Sequence, residues 1–216
     1  MFILPTSKPY KLETKKKNLF LRIHKGHFST GRSHTNYYID ITAQKSRLSE
    51  AKAVAEELLG YYSHNTVVDT ILCLDGTEVI ATCLAEELTK NQFHNINAHR
   101  TIYVITPEPT SNSQLLFRDN MVPMIEGKHV LVLAASVVTG FTANSAVEAI
   151  KYYGGSVVGI ASIFATVEKC GDIKVYSVFD PKDLPDYSTH SSHDCPLCKK
   201  GIKLDALINT FGFSKL

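Results

Sequence analysis

From Ser49 onward, apolar residues recur at Ala51, Val54, Ala55, Leu58 and Leu59, the spacing of one helix face, and Gly60 follows where helices commonly stop. This predicts an amphipathic helix over 49–59. Val67 to Leu74 is a nearly continuous apolar run, broken by Asp69 and Thr70 and ending at Asp75-Gly76, the pattern of a buried strand entering a loop. A helix from Glu78 to about Lys90 and a strand from Thr101 to Ile105 are expected next. Thr106 to Gly127 is polar, carries Pro107, Pro109 and Pro123, and shows no period, so it is expected to be a long functional loop. Val130–Leu133, Val157–Phe164 and Val175–Phe179 read as strands, and Ala143–Tyr153 as a helix closed by Gly154-Gly155. Strands alternating with helices predict a parallel sheet, and such sheets gather ligands at the carboxyl ends of their strands. The loops after Leu74, Ile105 and Leu133 are therefore expected to share one cleft.

Composition narrows the partners. With 216 residues, 44% hydrophobic and 20% charged, the chain suits one α/β domain with a sizeable core. A net charge of +2 lacks the basic excess of phosphate-backbone binders, so nucleic acid is not an expected partner. The longest apolar stretch, Val130 to Val138, is shorter than the roughly 20 residues that cross a bilayer. Met1 to Tyr10 has no charged segment leading into a long apolar block, and the chain is read as unprocessed and cytoplasmic. Five cysteines is an odd number, and Cys73 and Cys83 in apolar segments read as reduced core thiols. Lys11, Lys15, Lys16 and Lys17 read as a solvated face.

The segment Val130-Leu-Val-Leu-Ala-Ala-Ser-Val-Val-Thr-Gly-Phe-Thr142 takes a buried strand into a short loop and then a helix. Helix starts present unpaired N–H groups and a positive dipole end. Gly140 permits close approach, and the Thr139 and Thr142 hydroxyls can donate to phosphate oxygens. An ordinary strand-turn-helix with Thr142 as N-cap would use the same residues.

Leu133 to Thr142 resembles the phosphoribosyl diphosphate motif of type I phosphoribosyltransferases. Gly26-His-Phe-Ser-Thr-Gly-Arg-Ser-His-Thr-Asn-Tyr-Tyr-Ile-Asp40 is similar to the amino-terminal signature of the orotate enzymes, and Cys-Pro-Leu-Cys before a lysine- and glycine-bearing tail occurs in some members. The resemblance runs from about Leu21 to Gly201. It implies an α/β fold with a twisted, mostly parallel sheet flanked by helices, with residues 46–170 as core and 1–45 and 175–216 as a small hood and tail. It further implies a homodimer and magnesium-dependent phosphoribosyl transfer from the diphosphate to orotate, for pyrimidine nucleotide synthesis. Val138, Thr139, Gly140, Phe141 and Thr142 would hold the 5-phosphate, and Asp75, Gly76, Thr77 and Glu78 would form the diphosphate loop. Lys25, Phe28, Arg32 and Asp40 would line the base pocket, with Arg118 and Asp75 acting on diphosphate and metal.

The sequence departs from this pattern at the chemistry. Two adjacent acids that hold the ribose hydroxyls in family members are Ala134 and Ala135 here. The mobile catalytic loop corresponds to Thr106 to Arg118, where Arg118 is the single basic residue and Glu108 has the wrong sign. The orotate-binding arginine falls near Ala165 and Thr166. These losses point to the alternative of a nucleotide or sugar-phosphate binding or regulatory protein without turnover; relocated acids at Asp75 and Glu78 are the counter-reading.

His190, His193, Cys195 and Cys198 lie within nine positions, and a two-residue gap lets both thiolates reach one metal. A small zinc knuckle and a plain turn both fit this segment.

Overall fold

A computed structural model describes residues 10–13, 19–90, 96–98, 101–110 and 114–216. Lys15, Lys16 and Lys17 of the basic run, and residues 111–113 of the long loop, lie outside them. The described residues divide into two compact units, one within Met1–Ala43 and Pro181–Leu216, the other within Gln44–Asp180.

The first unit opens with β1 (Tyr10–Glu13), β2 (Phe20–Ser29) and β3 (His34–Asp40). From Leu19 into β2, the alternation of Leu19, Leu21 and Ile23 puts every second side chain inside, the period-two signal of a half-buried strand. Its pairing with β3 shifts register between Lys25 and Phe28, a bulge at Gly26-His27. A β-carbon on Gly26 would lie 2.6 Å from the Asp205 carboxylate and 2.9 Å from the Phe28 ring, so only glycine fits there.

The short helix α1 (Thr42–Ser46) leads into α2 (Leu48–Tyr62). The helix passes through Gly60 instead of ending before it. Tyr62 explains the extra turn: its ring is buried, and its hydroxyl donates to the Ile160 carbonyl 3.1 Å away. There follow β4 (Thr70–Cys73), α3 (Glu78–Thr89), β5 (Tyr103–Ile105), the small hairpin of β6 (Glu108–Pro109) and β7 (Leu115–Leu116), β8 (His129–Val137), α4 (Phe141–Tyr152), β9 (Ser156–Ala165), β10 (Lys169–Cys170) and β11 (Ile173–Phe179). The segment expected to be loop from Thr106 to Gly127 thus contains a hairpin and a 3-10 turn at Val122–Met124.

The sheet order is β10-β11-β9-β8-β4-β5, parallel except for β10 at the edge. Helix α4 packs on β8 and β9, α2 on α3 and β11, and α3 on β4 and β5. Leu72, Val130, Val132, Ile150 and Ile160 are buried in its core. All five parallel strands end at the same edge, so the loops after β4, β5, β8 and β9 converge, as the alternation of elements predicts.

The chain then completes the first unit with β12 (Thr189–His190), α5 (Pro196–Lys199), β13 (Ala206–Asn209) and β14 (Gly212–Lys215). Its sheet runs β12-β3-β2-β13-β14, with β1 also on β2, and mixes antiparallel pairs with the parallel pair β13 and β2. Among the described residues no helix is long and apolar enough to cross a membrane.

Candidate functional site

At the carboxyl end of β8, Val138 and Thr139 lead to Gly140, whose φ of 73° places it in the left-handed region as the N-cap of α4. The helix begins at Phe141, so Thr142 lies in its first turn and is not the cap. Glycine is needed at that φ, and it brings the loop close to Cys170 Sγ, which a β-carbon would meet at 3.1 Å. Thr166 holds the loop from β9: its N–H donates to the Val137 carbonyl at 3.0 Å, and its hydroxyl to the Val138 carbonyl at 2.6 Å. Thr139, Phe141 and Thr142 are exposed, and the first turn of α4 carries no acid. The local field there favours an anion.

The β4 loop faces the same edge. Asp75 and Gly76 both have positive φ, 60° and 78°, a turn open to aspartate because its short side chain tolerates that region. Burial raises the Asp75 carboxyl above its ordinary range, opposed by the Ala135 N–H that donates to it and by the nearby Lys45 charge. Asp75 therefore touches the backbone at Ala135, where the resemblance places one of the paired acids. The Lys45 Nζ donates to the Asp75 carbonyl at 2.8 Å. Lys45 is a basic group at this loop that the sequence did not reveal; it lies on α1, thirty positions away, with no local motif to mark it.

Other expected residues have different duties. Thr77 is fully buried, and its hydroxyl donates to the Leu74 and Leu133 carbonyls at 2.9 and 3.0 Å, so that hydroxyl clasps β4 to β8 and is not offered to a diphosphate. The Glu78 carboxylate accepts from the Thr106 hydroxyl at 3.0 Å. Arg118 is held by Glu108. Ala134 and Ala135 are 2% and 1% exposed.

In the first unit, Phe28 is fully buried against Tyr38 and Ala206, which makes it a core residue and not a wall for a base. The Asp40 carboxylate accepts the Thr42 N–H at 3.0 Å, the turn pairing expected of an aspartate before a helix. Lys25 lies over the Tyr37 ring, and Arg32 is exposed on the turn between β2 and β3. Geometry thus gathers the β4 and β8 loops and does not support Phe28 in the base pocket.

The cysteine pair of the tail is met by different histidines from those expected. The ligand atoms of His27, His34, Cys195 and Cys198 all lie within 4.8 Å of one another. His193 is exposed, and His190, paired in register with His34, lines an adjoining cavity without joining the group. The bulge in β2 explains this choice, since an extra residue re-aims the side chains that follow it.

No protein-family model matches the sequence. The chain is 27% identical over 188 residues to the orotate phosphoribosyltransferase of Caldanaerobacter subterraneus subsp. tengcongensis, covering 84% of this chain and 88% of the other. It is 23% identical over 182 residues to that of Chlorobaculum parvum, covering 84% and 86%. The crystal structure of orotate phosphoribosyltransferase from Aeropyrum pernix superposes with a TM-score of 0.52 at 16% identity, covering 83% of this chain and 92% of that one. By these likenesses, the chain has the type I phosphoribosyltransferase fold and is similar in sequence to orotate phosphoribosyltransferases.

Proposed function

We propose that this protein binds the 5-phosphate of a ribosyl ligand, either phosphoribosyl diphosphate or a nucleoside monophosphate, at Val138 to Thr142, and that it transfers the phosphoribosyl group poorly or not at all. One observation carries the reading: an intact strand-loop-helix cradle follows a strand in which the buried Ala134 and Ala135 stand where the resemblance places the paired acids. A methyl group accepts no hydrogen bond, and each ribose hydroxyl left unpaired against it costs about 1 to 3 kcal/mol. The 5-phosphate keeps its amides and hydroxyls while the sugar loses its anchors.

The carboxylates present do not fit the magnesium arrangement of an active transferase. Alanines stand at the paired-acid positions, and the Asp75 carboxyl is partly buried and takes the Ala135 N–H. No step through magnesium is assigned. Arg118, the one basic residue of the 106–118 segment, is paired with Glu108, which removes the charge that would meet the leaving diphosphate.

The second reading is an active orotate enzyme in pyrimidine nucleotide synthesis. It is favoured by relatives of that name matching 84% of the chain. The resemblance also implies a homodimer, which sedimentation would reveal.

Thermal shift and calorimetry with phosphoribosyl diphosphate, orotidine monophosphate and uridine monophosphate test the proposal, since a ligand that binds the native state raises its melting temperature. The expected result is a shift with at least one of these, lost on Thr139→Ala with Thr142→Ala, and no pyrophosphate release with orotate. Pyrophosphate release at an enzyme's usual rate would establish the second reading instead. No shift with any of them would overturn both.

A further inference from the structure

The geometry points to a structural zinc site in the first unit, with His27 Nε2, His34 Nδ1, Cys195 Sγ and Cys198 Sγ as its four ligands. This goes beyond the phosphate-site proposal and stands independently of it.

The four ligand atoms lie within 4.8 Å of one another, close enough to share one tetrahedral ion. Zinc binds thiolate at about 2.3 Å and imidazole at about 2.0 to 2.1 Å, so ligand atoms at tetrahedral corners lie roughly 3.3 to 3.8 Å apart. Here His27 Nε2 and His34 Nδ1 are 3.2 Å apart, and Cys195 Sγ and Cys198 Sγ lie 3.4 and 3.7 Å from His27 Nε2. Cys198 Sγ is 3.3 Å from His34 Nδ1.

The surroundings match as well. His27 Nδ1 is 2.9 Å from the Ile202 carbonyl, which can only accept, so that nitrogen carries the proton and Nε2 turns a lone pair to the cluster. The cysteines flank Pro196 and Leu197 in a tight turn. Lys199 N–H donates to the Cys195 carbonyl, Gly201 N–H to the Cys198 carbonyl, and Ile202 N–H to the Leu197 carbonyl, which fixes both thiols on one side. Gly201 ends the turn at a φ of 70°. His27 itself is fixed through its N–H to the Asp205 carboxylate at 2.7 Å and through its carbonyl, which accepts the Asp205 N–H at 2.8 Å.

Zinc has a physical task at this place. The ligands come from two chain segments more than 160 positions apart. A metal that joins β2 and β3 to the tail ties these two segments together. Two thiols release their protons on binding, and two thiolates with two neutral imidazoles make a centre of zero net charge, which suits its partly buried position.

The test uses the full chain. Protein purified from zinc-supplemented cultures is expected to carry about one zinc per chain by elemental analysis. After chelation under reducing conditions, Co2+ alone should give the intense visible bands of a tetrahedral site with thiolate-to-cobalt charge transfer. The melting temperature should fall on chelation and return with zinc. His27→Ala, His34→Ala, Cys195→Ser and Cys198→Ser should each lose most of the metal, while His190→Ala and His193→Ala keep it. Should the cysteine variants not fold, the Co2+ spectrum of the unsubstituted chain decides by itself. A weak six-coordinate spectrum, absence of metal, or a Cys195–Cys198 disulfide persisting in reductant would overturn the site. Loss of zinc in His190→Ala with retention in His27→Ala would overturn the ligand set.

Discussion

Arg118 and Glu108 form a bidentate ion pair, with Nε and a terminal nitrogen of the guanidinium each 2.7 Å from one carboxylate oxygen. The pair spans the β6–β7 hairpin and holds the Glu108 carboxyl below, and the guanidinium above, their ordinary values. Glu108→Gln keeps the shape and removes the charge. Affinity for phosphoribosyl diphosphate, measured by calorimetry at low salt, should then rise several-fold. The melting temperature should barely move, because exposed ion pairs add little to stability. An unchanged affinity would mean that Arg118 does not reach the ligand.

Asp75 makes stability depend on pH in a stated direction. Its folded pKa is raised, chiefly by burial, so the fold favours the neutral carboxyl. Stability from this group is full below the ordinary aspartate range and is lost as pH rises through the raised value. Asp75→Asn stays neutral, tolerates the left-handed backbone and can still accept the Ala135 N–H. In urea titrations it should exceed the parent chain at pH 7 to 8, with the difference fading toward about pH 4. A difference that grew on acidification would contradict the assignment.

Gly140→Ala should separate conformation from chemistry at the phosphate loop. The positive φ and the 3.1 Å approach to Cys170 Sγ both penalise a β-carbon, for a loss of about 1 to 2 kcal/mol. Anion-induced stabilisation should disappear as well, whereas Thr142→Ala should weaken binding with little change in the unliganded melting temperature. Unaltered phosphate binding in the glycine variant would remove the cradle from the argument.

Tyr62 and Gly159 form a matched contact in the core. A β-carbon on Gly159 would lie 2.9 Å from the tyrosine ring, whose hydroxyl donates to the Ile160 carbonyl. Tyr62→Phe should cost about 1 kcal/mol for the lost hydrogen bond, and Gly159→Ala about 1 to 3 kcal/mol for overpacking. Together the two should cost more than either alone in denaturant melts, since phenylalanine leaves the ring where it was.

The main strands and helices of the Gln44–Asp180 unit follow from the chain itself, whereas the small hairpin and 3-10 turn inside 106–127 do not. Periods of two and of three to four are local properties, and the apolar runs around Ile71, Leu131 and Ile160 mark strands wherever they are read. The strand-loop-helix around Gly140 is local for the same reason. Helix α2 crossing Gly60 was not visible, because what holds its last turn is a hydroxyl contact 98 positions away.

The amino-acid order alone determined the alternation of strands and helices, the convergence of loops at one sheet edge, the glycine at the head of α4, and the cysteine pair of the tail. Only the tertiary structure decided which side chains meet there. It spends the Thr77 hydroxyl on two carbonyls, buries Phe28, brings Lys45 to the Asp75 loop, and gives Cys195 and Cys198 the histidines of β2 and β3 in place of their nearer neighbours. Secondary structure answers to hydrogen bonds and periodicity along a few residues, whereas a site answers to distances between segments that the order of residues leaves free.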